Sequence, residues 1–103
     1  FYYDFELSDG MKIGDAELKN IQKRMRKSVQ KGFTPELKTL SEEEARELFS
    51  QQPYKLELID AIVKDAEDIT AYEMAGFTDL CEGPHVATAD EIDARAFKLA
   101  KVA

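Results

Sequence analysis

Residues 79–86 contain the only cysteine and the only histidine of the sequence. Cys81 and His85 are separated by three residues, and Gly83 and Pro84 between them indicate a turn. Proline fixes φ, and glycine adopts backbone conformations that other residues avoid. Asp79 lies two residues before the cysteine. A carboxylate, a thiol and an imidazole are therefore available within one short span.

Three chemistries use such a group. Zinc binding is the first, because thiolate and imidazole are good zinc ligands, although Cys81 and His85 supply only two ligands and Asp79 would be a third. A nucleophilic Cys81–His85 pair oriented by Asp79 is the second. The third is hydrolysis by a positioned water, with His85 as the base and Lys55 or backbone amides stabilising the oxyanion. A buried thiol beside a hydrogen-bonded histidine, with no chemistry, fits the spacing equally well.

Composition limits the class of protein. The 103 residues fit one domain or part of one, and a hydrophobic content of 44% supports a folded core. The net charge of −7 argues against autonomous nucleic-acid binding, because affinity for polyanions comes from basic side chains. The single cysteine and the lack of a signal peptide or long apolar run predict a cytoplasmic protein outside membranes. Because the chain starts without methionine and has no solvating tails, we expect it to be a segment of a longer protein.

The periodicity of the sequence predicts an α+β fold, in which an antiparallel or mixed sheet has two longer helices packed on one face. Strands are predicted at 1–7, 36–40, 69–74, 77–81 and 96–102. The first strand is expected to bury Phe1 and Phe5, and Tyr3 would need a partner for its hydroxyl if it were buried.

Capping residues predict where the helices begin. Asp15 is expected to cap a helix that runs to about Lys31. Ser41 and Glu44 form a capping box, and Pro53 suits the first turn of the helix that contains Lys55. The residues expected to be buried in the short middle helix are Ala45, Leu48 and Phe49. A second capping box at 88–91 predicts a helical turn through residue 94.

The later turns of the first helix carry a run of cations, namely Lys23, Arg24, Arg26, Lys27 and Lys31. Cations there complement the helix dipole and face solvent, and this explanation is sufficient by itself. The alternative is a local binding patch for nucleic acid or another polyanion.

Four segments of the chain resemble, in order and at similar spacings, the editing domain of bacterial-type threonyl-tRNA synthetase. They are Phe1–Phe5 (FYYDF), Tyr54–Ile59 (YKLELI), Asp79–Val86 (DLCEGPHV) and Phe97–Leu99 (FKL). The likeness covers essentially the whole chain. Alanyl-tRNA synthetase shares a broader form of this domain, but the Gly-Pro turn favours the threonyl branch, because the alanyl turn usually reads Gly-Gly-Thr.

The resemblance implies hydrolytic proofreading of seryl-tRNA(Thr) in the full-length enzyme. Threonine and serine differ by one methyl group, which is worth only ~1–3 kcal/mol in a binding pocket, so a second site that admits serine and excludes threonine is needed. The matching positions imply a site lined by Tyr3, Lys55, Asp79, Cys81 and His85. Asp79 would bind the amino or hydroxyl group of the substrate, and His85 would bind water or the ribose hydroxyl. Lys55 would lie near the developing negative charge, while Cys81 and Tyr3 would shape the pocket.

The resemblance also implies partners and cofactors. The full-length enzyme would bind tRNA(Thr) and form a homodimer in the cytoplasm. This segment would require no cofactor, with zinc at Cys81 and His85 left as an alternative. ATP would be used only by the aminoacylation domain, which lies outside this sequence.

The chain departs from the family pattern in two places. The His-x-x-x-His motif that precedes the aromatic strand in the family is not within these residues. We therefore expect residues 1–103 to form a single domain that is one part of the editing domain and is inactive in isolation. Glu82 stands where the family usually has arginine. This reversed charge favours the alternative function of a non-catalytic tRNA-binding or spacer domain that retains the fold.

Overall fold

A three-stranded antiparallel sheet organises the chain. The computed structural model describes residues 1–102. The sheet has the order β1–β2–β3, with β1 at Glu36–Leu40, β2 at Ile69–Met74 and β3 at Phe77–Leu80. Three helices accompany it, so the α+β prediction is confirmed. The strands predicted at 36–40, 69–74 and 77–81 are present. The last of them ends at Leu80, one residue earlier than predicted.

The helices are α1 at Asp15–Gln30, α2 at Glu42–Leu48 and α3 at Pro53–Lys64, and a 3₁₀ turn follows at Ala89–Glu91. The capping box of α2 is confirmed, because the Ser41 N–H donates to Glu44 Oε2 at 2.8 Å and the Glu44 N–H donates to Ser41 Oγ at 3.1 Å. Pro53 begins α3 as predicted. None of the helices in residues 1–102 has both the length and the apolar character needed to cross a membrane.

One predicted helix cap and one predicted capping box are wrong. The cap of α1 is Gly14 rather than Asp15, because the Glu17 carboxylate accepts from the Gly14 N–H at 2.9 Å and so fixes the first turn one residue earlier. The predicted second capping box at 88–91 does not form. Its Glu91 carboxylate accepts instead from the Ala87 N–H at 2.9 Å, and only a short 3₁₀ turn results.

The core lies between one face of the sheet and helices α2 and α3. Its buried members are Ala45, Phe49, Ile59 and Ile69. The predicted burial of Ala45 and Phe49 is confirmed, because residues four apart share a helix face. The predicted burial of Leu48 is wrong: this side chain is 49% exposed, since it lies about 100° around the helix from Phe49.

The strands predicted at 1–7 and 96–102 do not form. Phe1 and Phe5 are exposed rather than buried. Alternating apolar residues produce a strand only where a neighbouring strand supplies hydrogen bonds and a face to cover, and neither edge of this sheet pairs with these segments.

The chain exposes more surface than a compact protein of its size. Its accessible surface is 8570 Å², whereas about 5,900 Å² is expected for 11.7 kDa. Its radius of gyration is 15.6 Å, compared with about 13 Å for a compact chain. Helix α1 contributes to the difference, because none of its residues is buried and it packs mainly against the 3₁₀ turn. The apolar side chains that remain exposed are available to pack against other protein segments.

Candidate functional site

Tyr72 on β2 supports the turn between Cys81 and His85. The rings of Tyr72 and His85 are stacked, with centroids 3.8 Å apart and planes inclined by 12°. Gly83 lies against the same tyrosine, so a Cβ at this position would overlap Tyr72 Oη and lie 3.0 Å from Cε2 and Cζ. Gly83 also has a φ of +77°, which favours glycine. Both the backbone conformation and the tyrosine contact therefore require glycine here.

Cys81 anchors this turn to the sheet. Its N–H donates to the Thr70 carbonyl at 3.1 Å, and its own carbonyl accepts from Thr70 Oγ1 at 2.7 Å. Its sulfur accepts from the Gly83 N–H at 3.4 Å and lies 3.8 Å from His85 Nδ1. The thiol is half-buried, while the histidine is exposed to solvent. The strand end thus holds the thiol and the imidazole side by side, as the sequence suggested.

Asp79 and Lys55 form an ion pair at the free edge of β3. Lys55 Nζ lies 2.5 Å from Asp79 Oδ1, and the two side chains are 23% and 20% exposed. The same oxygen accepts from the Leu80 N–H at 2.8 Å. Because the Cys81 N–H points towards β2, the Leu80 N–H points away from the sheet, and the aspartate satisfies it there. The helix dipole opposes a cation in the first turn of α3, and this ion pair compensates for that position of Lys55.

Tyr72 links the ion pair to the turn. Tyr72 and Asp79 are direct partners across β2 and β3, so their side chains lie on the same side of the sheet. Lys55 thus pairs with Asp79, Asp79 is the cross-strand partner of Tyr72, and Tyr72 stacks on His85. Sequence reasoning did not identify Tyr72. Its alternation with Ile69 and Ala71 places it on the face away from the core, but the register that joins it to Asp79 is a tertiary feature.

Tyr3 lies in the extended segment before α1. Its ring contacts those of Phe1, at a centroid distance of 5.8 Å, and Phe5, at 6.1 Å, and its side chain is 62% exposed. Within residues 1–102 it has no hydrogen bond or ring contact with the other four predicted site residues. Its place in the pocket stays a prediction.

The contacts of Asp79 bear on the chemistry open to the site. Asp79 binds Lys55 and the Leu80 N–H rather than the imidazole, so an Asp79–His85–Cys81 triad is not assembled. Stacking on Tyr72 orients the His85 ring instead. Asp79 Oδ2 has no hydrogen-bond donor in the described part of the chain. The arrangement provides an exposed imidazole, an ammonium group and a free carboxylate oxygen, which suits hydrolysis of a charged ester.

Zinc binding requires more ligands than this cluster brings together. Between residues 1 and 102 no group of three or more histidine, cysteine, aspartate or glutamate side chains is placed to hold a metal ion. Cys81 and His85 provide two donors, and Asp79 is engaged by Lys55. A catalytic zinc takes three protein ligands and a structural zinc takes four. These residues by themselves do not complete either kind of site.

The whole chain is similar to one segment of threonine–tRNA ligases. It is 45% identical over 103 residues to the threonine–tRNA ligase of Staphylococcus carnosus, and the match covers 100% of this chain and 15% of that protein. It is 41% identical over 102 residues to the enzyme of Thermotoga petrophila, covering 99% of this chain and 15% of that protein. The Staphylococcus aureus enzyme is 45% identical over the whole chain. No protein-family model matches.

These similarities confirm the resemblance to threonyl-tRNA synthetase. The chain spans about 15% of the length of the relatives it matches, so its homology is to a single segment of an aminoacyl-tRNA synthetase, a ligase of protein biosynthesis. Threonine–tRNA ligase activity is a property of those whole proteins.

Proposed function

We propose that this chain is part of the proofreading domain of a threonyl-tRNA synthetase and that, in the full-length enzyme, it hydrolyses seryl-tRNA(Thr). Its homology to a segment of threonine–tRNA ligases supports the proposal that the parent protein is a threonyl-tRNA synthetase. The observation that carries the editing role is that the Lys55–Asp79 ion pair and the Tyr72–His85 stack are built on one cross-strand pair of the sheet, Tyr72 and Asp79. Residues far apart in sequence meet there in an arrangement that fits a charged aminoacyl ester.

Each group has a role in this hydrolysis. The Oδ2 atom of Asp79 accepts a hydrogen bond from the α-ammonium group of the serine, while Oδ1 stays bound to Lys55. His85 positions the attacking water or the ribose hydroxyl next to the ester. The water oxygen forms a bond to the ester carbon, and the bond from that carbon to the ribose oxygen breaks. One water proton passes to the departing ribose oxygen, which becomes a hydroxyl, and the serine leaves as a carboxylate after losing the other proton to solvent. Lys55 stabilises the negative charge that develops on the carbonyl oxygen.

In the full-length protein, another segment of the parent chain is expected to pack around the site. The excess of exposed surface and the exposed aromatic side chains of residues 1–5 support packing against another segment of the parent protein. An upstream segment with the His-x-x-x-His motif is the expected neighbour, and its packing would bring Tyr3 to the pocket. The isolated chain is therefore expected to be inactive. tRNA(Thr) as partner, a homodimeric parent and a cytoplasmic location remain predictions from the same resemblance.

The test is a deacylation assay on the full-length protein. Wild type should hydrolyse seryl-tRNA(Thr), and His85→Ala and Lys55→Ala should abolish or strongly reduce this while leaving threonine charging intact. Lys64→Ala is the matched control, because Lys64 is an exposed lysine on the same helix and makes no ion pair with residues 1–102. Unchanged deacylation in His85→Ala would refute the proposed site.

Glu82 provides the second candidate function. This carboxylate is exposed in the turn, where it would repel the phosphates of a tRNA end. If the charge has removed editing, the wild-type protein will bind tRNA without deacylating it, and the chain is then a binding or spacer domain. If the charge of Glu82 alone prevents editing, Glu82→Arg should restore deacylation of seryl-tRNA(Thr).

A further inference from the structure

One face of α1 carries a row of donors and cations remote in sequence from the turn that holds His85. We define this cationic face by its six residues, Lys19, Gln22, Lys23, Arg26, Lys27 and Gln30. They recur at intervals of three and four residues, so they share one side of the helix over three turns, a length of about 16 Å. A shallow depression of about 370 Å³ runs along them. Every side chain on this face can donate hydrogen bonds.

The cations of this face are not neutralised by the protein. Within residues 1–102 the cations that make ion pairs are Lys38, Arg46, Lys55 and Arg95, and all of them lie outside α1. The chain has 21 acidic and 14 basic residues, so carboxylates are in excess overall. The acidic residues of α1 lie in its first turn, before most of the face. Asp90 and Asp93 lie beside Gln30 at the C-terminal end of the face. The positive charge is therefore concentrated at Lys19, Lys23, Arg26 and Lys27, none of which makes an ion pair within residues 1–102.

Arg26 lies in the middle of this face, and its side chain is partly buried. Its Nε is buried and has no hydrogen-bond partner in the described residues. Buried donors in folded proteins are nearly always paired, and a guanidinium group binds phosphate oxygens in a forked geometry. The Arg26 guanidinium makes no ion pair with residues 1–102, so its terminal nitrogens remain able to bind phosphate oxygens.

We propose that the cationic face of α1 docks the sugar–phosphate backbone of an RNA stem. The inference rests on the proposed function, which supplies a tRNA as the partner. RNA is favoured over an acidic protein because the face has no apolar or aromatic side chain, and protein interfaces depend on such anchors. The same lack leaves Arg26 as the one side chain of this face that can stack on a base. The face therefore binds phosphates and ribose hydroxyls independently of sequence, and it positions the aminoacyl end without taking part in the hydrolysis.

The test compares two double variants of the full-length protein. Lys23→Gln with Lys27→Gln removes two charges from the face, and Lys12→Gln with Lys64→Gln removes two exposed lysines elsewhere that make no ion pair with residues 1–102. Glutamine is a good helix former, so α1 should be retained, and circular dichroism checks this. tRNA binding is titrated at several salt concentrations, and KM and kcat are measured for deacylation of seryl-tRNA(Thr).

The face variant should bind tRNA at least about tenfold more weakly near 0.1 M salt, and its slope of log K against log salt should fall by about 1.4 to 1.8. KM should rise in parallel with kcat unchanged, and the control should match wild type. The charge-preserving pair Lys23→Arg with Lys27→Arg should keep the wild-type slope.

The outcomes separate this inference from the proposed function. If wild type deacylates the substrate but the face variant keeps the wild-type slope, the docking inference is wrong and the proposed function stands. If wild type does not deacylate but the face variant alone loses tRNA affinity, the docking inference holds and the editing role is wrong. Equal losses in the two double variants, or stronger competition by polyglutamate than by an RNA stem, would also overturn the RNA-docking surface.

Discussion

Replacing Gly83 with alanine tests whether Tyr72 supports the Cys81–His85 turn. The new Cβ would overlap Tyr72 Oη and lie 3.0 Å from Cε2 and Cζ, and it would stand on a backbone with φ of +77°. Tyr72 must shift to make room. Because the imidazole is stacked on the same ring, His85 shifts with it. Gly83→Ala should therefore lower both the stability of the fold and the rate of hydrolysis.

Gly76 allows the cost of backbone strain to be separated from the cost of overlap with Tyr72. It has a φ of +80°, but a Cβ at Gly76 would meet nothing within 4 Å. Gly76→Ala therefore incurs backbone strain alone, about 1–2 kcal/mol. Gly83→Ala incurs similar strain together with overpacking, which typically costs ~1–3 kcal/mol, so a total of about 2–5 kcal/mol is expected. Adding Tyr72→Phe to Gly83→Ala removes the overlapping hydroxyl. The double variant should therefore recover part of the free energy of unfolding that separates Gly83→Ala from Gly76→Ala.

Urea unfolding of the chain measures these free energies, and deacylation by the full-length protein measures the displacement of His85. A misplacement near 1 Å can reduce a rate about 100-fold, so Gly83→Ala should lose far more activity than Gly76→Ala. If the two glycine variants are equally destabilised, or if Gly83→Ala deacylates like wild type, Tyr72 does not support the turn as described.

Three other tests concern the ion pair, the core and a helix cap. Lys55→Met should slow deacylation by about 10²-fold, and adding Asp79→Asn should slow it further, because Asp79 Oδ2 binds the ammonium group of the substrate separately; a double variant no slower than Lys55→Met would contradict that role. Ile59→Ala should reduce the free energy of unfolding by about 2–5 kcal/mol in urea, because Ile59 is fully buried, and a loss below 1 kcal/mol would place it outside the core. The backbone N–H of Ser41, followed by its hydroxyl, lowers the pKa of Glu44 from its usual value near 4.5. The folded-state pKa is thus below the unfolded one, so the stabilisation by Glu44 is complete above about pH 4.5 and lost as the pH falls through the folded-state pKa. Glu44→Gln should remove this part of the pH dependence of the urea midpoint, and identical profiles would argue against the capping contact.

The parts of the fold that the sequence predicted correctly depend on short-range interactions. The capping box joins Ser41 and Glu44, which are three residues apart. The hairpin of β2 and β3 is built from two alternating runs joined at Gly76. The strand predicted at 1–7 has an equally clear alternation, yet it does not form, because the pattern does not supply a neighbouring strand. Local periodicity therefore identified elements and overestimated the size of the sheet.

The sequence by itself determined which groups are available for chemistry and that Cys81 and His85 lie together, since only three residues separate them. The tertiary structure decided that Lys55 meets Asp79 at the sheet edge and that Tyr72 lies beneath the imidazole. Both contacts depend on strand register and on the packing of α3 against β2. A register shift of one residue would move Tyr72 to the opposite face of the sheet, and the local residue pattern does not fix that register.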